Sequence, residues 1–111
     1  MPFITDETLQ GLVTEIVRDF SPETIYLFGS RARGDARADS DADLLVIQRE
    51  PFPTQESRQQ ELARLWRTVT KSRLPVEVFL YSSRDVEEWR ATGSHLIGRA
   101  LKEGRPLYAA E

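Results

Sequence analysis

Residues 25–47 read Ile-Tyr-Leu-Phe-Gly-Ser-Arg-Ala-Arg-Gly-Asp-Ala-Arg-Ala-Asp-Ser-Asp-Ala-Asp-Leu-Leu-Val-Ile. An apolar run stops at Gly29-Ser30, a basic loop containing glycine follows, and Asp41-x-Asp43 leads into a second apolar run. Successive side chains of an extended strand point to opposite faces, which sets Asp41 and Asp43 on one side, about 7 Å apart along the chain. Two carboxylates on one face can share divalent cations. Hard oxygen ligands of this kind suit Mg²⁺, which is usually held by one or two carboxylates together with substrate phosphates. A nucleoside triphosphate would complete such a site. Gly29 lets the backbone approach a phosphate closely, and the Ser30 hydroxyl with nearby N–H groups can cradle its oxygens. The plain alternative is a β-hairpin with a charged loop.

Gly29-Ser30, ten residues, then Asp41-x-Asp43 resembles the G-S-x10-D-x-D signature of the DNA polymerase β-like nucleotidyltransferases. Gly-Ser-Arg-Ala-Arg-Gly followed by Ser-Asp-Ala-Asp-Leu-Leu-Val resembles, more narrowly, the minimal nucleotidyltransferase (MNT) domain. The resemblance implies an α/β (α+β) fold. It consists of a small mixed β-sheet of three or four strands with helices packed mainly on one face.

Outward from this stretch, the chain of 111 residues is sized for one domain, 1–111, with a single core. With 40% hydrophobic and 30% charged residues it can bury that core and stay soluble. No apolar run is long enough to cross a bilayer and the N-terminus has no signal-peptide pattern, so a cytoplasmic location and no membrane contact are expected. With no cysteine, disulfides, cysteine-ligated zinc and a cysteine nucleophile are excluded. A net charge of −3 argues against general nucleic-acid binding, while Arg31, Arg33 and Arg37 concentrate positive charge beside the acidic pair.

Before the motif, Leu9, Leu12, Val13, Ile16, Val17 and Phe20 fall at helical spacing, with Thr5 or Asp6 as cap and Pro22 beyond the end. Residues 24–28 read as a strand, 30–34 as a short helix or tight turn, 35–40 as polar loop, and 41–47 as a second strand. Past Pro51-Phe-Pro53, Leu62, Leu65, Trp66 and Val69 predict a helix capped by Thr54 or Ser57, with Trp66 in the core. Trp89 is left open between core and a partner surface.

Pro75 to Tyr81 predicts a third strand, with Glu77, Phe79 and Tyr81 on one face and Val76, Val78 and Leu80 on the other. An acidic residue between Val76 and Val78 calls for a cation or hydrogen bonds to offset its desolvation, which makes Glu77 the candidate third carboxylate. Ser82 or Ser83 can cap a short helix. A break near Gly93 follows, Ser94 opens a last helix that stops at Gly104, and Arg105 to Tyr108 trails off it. His95, the only histidine, reads as a surface or capping residue.

The resemblance assigns roles to these residues. It implies that Asp41, Asp43 and Glu77 are catalytic and hold two Mg²⁺ ions, and that Gly29, Ser30 and one or both of Arg31 and Arg33 bind the triphosphate of ATP. The family's third carboxylate is most often aspartate, and Glu77 reaches about 1–1.5 Å further from its backbone. MNT proteins are commonly encoded beside a HEPN-domain ribonuclease toxin and act as its antitoxin, in some cases by transferring AMP to a toxin tyrosine. The implied partner is therefore a HEPN toxin, in a hetero-oligomer with this chain. The alternatives are an antitoxin that acts by binding alone and a nucleotidyltransferase subunit for a small molecule or RNA.

Overall fold

A computed structural model describes residues 4–34, 41–92 and 95–110. The predicted polar loop at 35–40, with Arg37, and the break at Gly93 and Ser94 lie outside the described residues.

Helix α1 (Asp6–Phe20) starts at Thr5, whose side chain accepts from the Thr8 N–H while the Thr8 hydroxyl accepts from the Thr5 N–H. This reciprocal cap satisfies two helix-end donors. Ser21 then turns left-handed, at φ 47°, and ends the helix. Leu9, Leu12, Val13 and Ile16 form its buried stripe. Strand β1 (Thr24–Phe28) runs into the single-turn helix α2 (Ser30–Arg33), and β2 (Ala42–Gln48) returns antiparallel to β1.

Helix α3 (Gln55–Ser72), capped by Thr54 with Ser57 in the same reciprocal way, carries the chain back to β3 (Val76–Ser82), which lies parallel to β2. A parallel pair needs such a crossover. Ser82 caps α4 (Ser83–Trp89), His95 caps α5 (Leu96–Glu103), and β4 (Arg105–Ala109) closes the described chain against β1, antiparallel. The sheet order is β3-β2-β1-β4.

The expected α+β fold with a small mixed sheet is observed, and both sheet faces are covered. Under α1 and α3 lies the larger core, where Ile25, Leu27, Ala42, Leu44, Val46, Val76, Val78 and Leu80 meet Leu12, Ile16, Leu65 and Val69. On the other face a smaller core gathers Leu45, Ile47 and Ala100 with Tyr26, Phe28, Phe79, Tyr81, Val86 and Leu96, from α4 and α5. The longer helices thus share one face and the shorter two the other. Apolar on both faces, β2 is the central strand its unbroken Leu-Leu-Val-Ile run describes.

Two sequence expectations are corrected. Residues 105–108 do not trail away; they form β4 and cover the outer edge of β1. A Pro-containing, mostly exposed segment of this length carries little strand signal, and only pairing with β1 makes it one. Trp66 is 39% exposed rather than core. Leu65, Thr68 and Val69 take the buried side of α3, and the crossing with α1 places that contact one residue round the helix from Trp66.

Candidate functional site

The candidate residues converge where β1 ends and β2 and β3 begin. Asp43, second residue of β2, sits opposite Glu77 of β3 and opposite Phe28 of β1. Period two puts Asp43, Leu45 and Ile47 on the face covered by α4 and α5, and Glu77, Phe79 and Tyr81 share it. Asp43 is half-buried, whereas Glu77 is exposed on the edge strand. Asp41 is exposed and immediately precedes β2.

Burial pushes the Asp43 carboxyl above its usual range, and the neighbouring carboxylates of Glu77 and then Asp41 push the same way. Glu77 faces Asp43 across the parallel pair, and Asp41 precedes it by two positions. Among the described residues, no set of three His, Cys, Asp or Glu side chains is already gathered at metal-binding distances. The donor set present, two carboxylates in register with a third beside them, fits Mg²⁺ held in part by substrate phosphates.

Gly29 lies against Asp43. Its φ of 78° and ψ of −156° fall in a region essentially reserved for glycine, and a Cβ there would stand 2.5 Å from Asp43 Oδ2. The turn it makes redirects β1 into α2, where the N–H groups of Ala32 and Arg33 both donate to the Gly29 carbonyl, at 3.1 Å each. Ser30, half-buried, opens α2, and among the described residues its hydroxyl makes no hydrogen bond.

The two arginines of α2 part company. Arg31 Nη1 donates to the Ile4 carbonyl at 3.5 Å, and its side chain borders a pocket of about 220 Å³ with Leu9, Leu27 and Arg105, on the α1 face. Arg33 pairs with Glu103 at 3.3 Å, which ties α2 to the end of α5 on the Asp43 face. Their spacing in the sequence groups them, and about half a helical turn separates them. A second cleft, of about 370 Å³, opens at the opposite ends of β2 and β3 between Phe52, Thr54, Arg58, Ser82 and Arg84, away from the carboxylates.

Sequence reading missed the ring pair formed by Phe28 and Phe79, whose centroids are 5.7 Å apart beside Asp43 and Glu77. Strand alternation places each on the carboxylate face. Their pairing requires the strand order, which the sequence does not print.

The sequence profile of the nucleotidyltransferase domain matches residues 9–81. No curated protein matches the chain significantly. Among solved structures, a candidate nucleotidyltransferase from Sulfolobus solfataricus superposes with a TM-score of 0.63 at 21% identity, covering 93% of this chain and 78% of that one. A toxin-antitoxin solved with AMP-PNP gives a TM-score of 0.53 at 20% identity, over 92% of this chain and 74% of that one. The toxin-antitoxin MntA-HpeT, in a mutant with two aspartates replaced by glutamate, gives 0.52 at 18% identity with the same coverages. At such identities the likeness is one of fold.

Proposed function

Because the chain belongs to the nucleotidyltransferase domain family, we propose that it transfers AMP from ATP to a hydroxyl of a partner protein, and that the partner is a HEPN-domain toxin which it thereby silences. The observation that carries this reading is the register of Asp43 with Glu77 beside a glycine turn that admits no side chain. Two toxin-antitoxins of like fold, one solved with AMP-PNP, support the nucleotide and the partner class. In the MntA-HpeT mutant the two altered aspartates stand two positions apart, the spacing of Asp41 and Asp43 here. The whole assignment extends to a protein acting as one domain in the cytoplasm; no helix among the described residues is long and apolar enough to cross a membrane.

In the reaction, the acceptor oxygen forms a bond to the α-phosphorus while the bond to the pyrophosphate oxygen breaks, and the hydroxyl proton leaves to a base. Asp41, Asp43 and Glu77 are the side chains that would hold Mg²⁺, which when bound supplies positive charge for the attacking and leaving oxygens. Ser30 donates its hydroxyl to the triphosphate, and Gly29 keeps the approach open. Arg33, on the Asp43 face, offers a guanidinium for a bidentate phosphate contact. Glu77, exposed at the sheet edge, would help to take the acceptor's proton.

The test mixes the protein with ATP, Mg²⁺ and the HEPN-domain protein encoded beside it. A mass increase of one AMP unit on a partner tyrosine, absent with Asp43→Ala, is the expected result. No increase, with wild type behaving as the variant does, sinks the reading. The exposure of Glu77, where relatives most often carry aspartate, favours a second reading in which the protein silences its partner by covering it. Protection of cells by Asp43→Ala would establish that alternative.

A further inference from the structure

Phe28 of β1 stands opposite Asp43 of β2, and Phe79 of β3 stands opposite Leu45 of β2. Both rings are half-buried and belong to the face covered by α4 and α5. Their strands flank β2 on either side, about 9–10 Å apart at the usual strand spacing. Ring centroids only 5.7 Å apart therefore require both side chains to lean inward and meet above β2, over the stretch from Asp43 to Leu45. Leu45 beneath them is fully buried. The ring planes are tilted by 54°, an arrangement that aromatic quadrupoles favour over face-to-face stacking.

Asp43 precedes Leu45 on that face, so the rings close the space on its Leu45 side. Toward β3 stands Glu77, in register and of like charge. What remains is the direction of Gly29, and the carboxylate takes it, with Oδ2 2.5 Å from where a Gly29 Cβ would stand. Gly29 follows Phe28 and Ser30 opens α2, so this direction leads to the candidate triphosphate cradle. An aspartate has three staggered settings about its Cα–Cβ bond. A carboxylate turned onto the ring faces would give up water without gaining a hydrogen bond.

We infer that the ring pair of Phe28 and Phe79 is a positioning device for Asp43, barring the settings that turn its carboxylate toward Leu45 and holding it toward Gly29, where a divalent cation shared with substrate phosphate would meet it. This deepens the transferase reading and rests on its metal assignment. Both phenylalanines act through Asp43 and are positioning residues. Without the rings, an Asp43 spread over three settings presents the metal-binding one about a third of the time. Losing the neighbours that orient a metal ligand commonly weakens metal binding by about tenfold or more. The expected loss is thus about three- to tenfold.

Phe79→Leu keeps an apolar side chain in the smaller core and removes the ring, Phe28→Leu does the same from the other strand, and Phe79→Tyr keeps the ring. Val86→Ala loosens the same core at the far end of the sheet, beside Thr24 and Ile47. With no acceptor present, the affinity of each for the ATP analogue AMP-PNP is measured by calorimetry with Mn²⁺ and again in EDTA. The ratio of the two is the contribution of the metal. The expected result is a ratio about three to ten times smaller in either leucine variant, with little further loss in the double variant, because the rings act as a pair. Affinity in EDTA stays within about twofold of wild type. Phe79→Tyr and Val86→Ala keep the wild-type ratio. In the metal-free wild type, three-bond couplings across the Asp43 Cα–Cβ bond report a single setting. An unaltered ratio in the leucine variants, whatever their melting temperatures, overturns the proposal, as does an equal fall in Val86→Ala or averaged couplings in wild type. The expected ranking of ratios, without AMP transfer by wild type to the HEPN-domain protein encoded beside it, overturns the transferase reading and leaves the positioning role standing. Equal affinity of wild type with and without Mn²⁺ overturns both.

Discussion

Asp43 on β2 and Glu77 on β3 are register partners across a parallel strand pair, on the same face of the sheet. Two like charges in register on neighbouring strands repel, and burial of Asp43 adds to the cost of ionising it. A cation brought to the pair would relieve both costs.

Asp43→Asn should therefore stabilise the metal-free protein while abolishing activity. Because the folded-state pKa of Asp43 lies above its ordinary value of 3.8, the folded protein binds the proton more tightly than the unfolded chain does. Its contribution is thus unfavourable once the carboxylate ionises, and stability falls as pH rises through and above that value. Melting in EDTA at neutral pH should show the variant about 1–3 °C more stable, a small rise because the group keeps contact with solvent. The difference should vanish below the ordinary carboxylate pKa. Added Mg²⁺ with ATP should stabilise wild type only, and AMP transfer by the variant should fall about 100-fold or more.

Gly29→Ala and Ser30→Ala should separate the backbone from the hydroxyl. Alanine at position 29 would need a glycine-only conformation and would press on Asp43, at a cost of about 1–3 kcal/mol in urea unfolding together with loss of ATP binding. Ser30→Ala should unfold within about 0.5 kcal/mol of wild type. Its ATP affinity, measured by calorimetry, should fall about tenfold through the lost hydrogen bond to a charged group.

The two arginines of α2 should behave differently. Arg33→Ala should weaken ATP binding, whereas Glu103→Ala, which removes only the half-exposed ion pair at 3.3 Å, should change stability by less than about 1 kcal/mol and leave affinity intact. Arg31→Ala should leave ATP affinity within about twofold and instead loosen the chain entering α1, where Arg31 meets the Ile4 carbonyl. Calorimetry and hydrogen exchange at residues 4–9 read the two effects.

Deleting residues 105–111 should expose the outer edge of β1 and make the protein prone to aggregation. Light scattering and a thermal midpoint lower by about 10 °C or more are the expected signs. Replacing Arg105 alone, exposed at the strand start, should produce neither.

Local chemistry settled a good deal. Thr24–Phe28 has its strand boundaries in the sequence because Pro22 and Gly29 bracket a β-branched and aromatic run. The faces within each strand were legible from period two, Asp43 with Leu45 and Ile47 in β2 and Glu77 with Phe79 and Tyr81 in β3. The capping boxes at Thr5 and Thr54 follow from short side-chain bonds within one turn. These are all decided by residues close together in the chain.

Tertiary structure alone decided the rest, because it depends on which elements become neighbours. That β4 is a strand follows from the unpaired edge of β1, not from Arg-Pro-Leu-Tyr. Trp66 lies outside because α1 crosses α3 over Leu65, Thr68 and Val69. Arg31 and Arg33, two residues apart, face opposite sides of the sheet because two helical positions make about half a turn. The contact of Asp43 with Gly29, and the ring contacts of Phe28 with Phe79 and of Tyr81 with His95, join residues well separated in the chain. The sequence determined which side chains each strand and helix could present; packing of the sheet determined which of them meet.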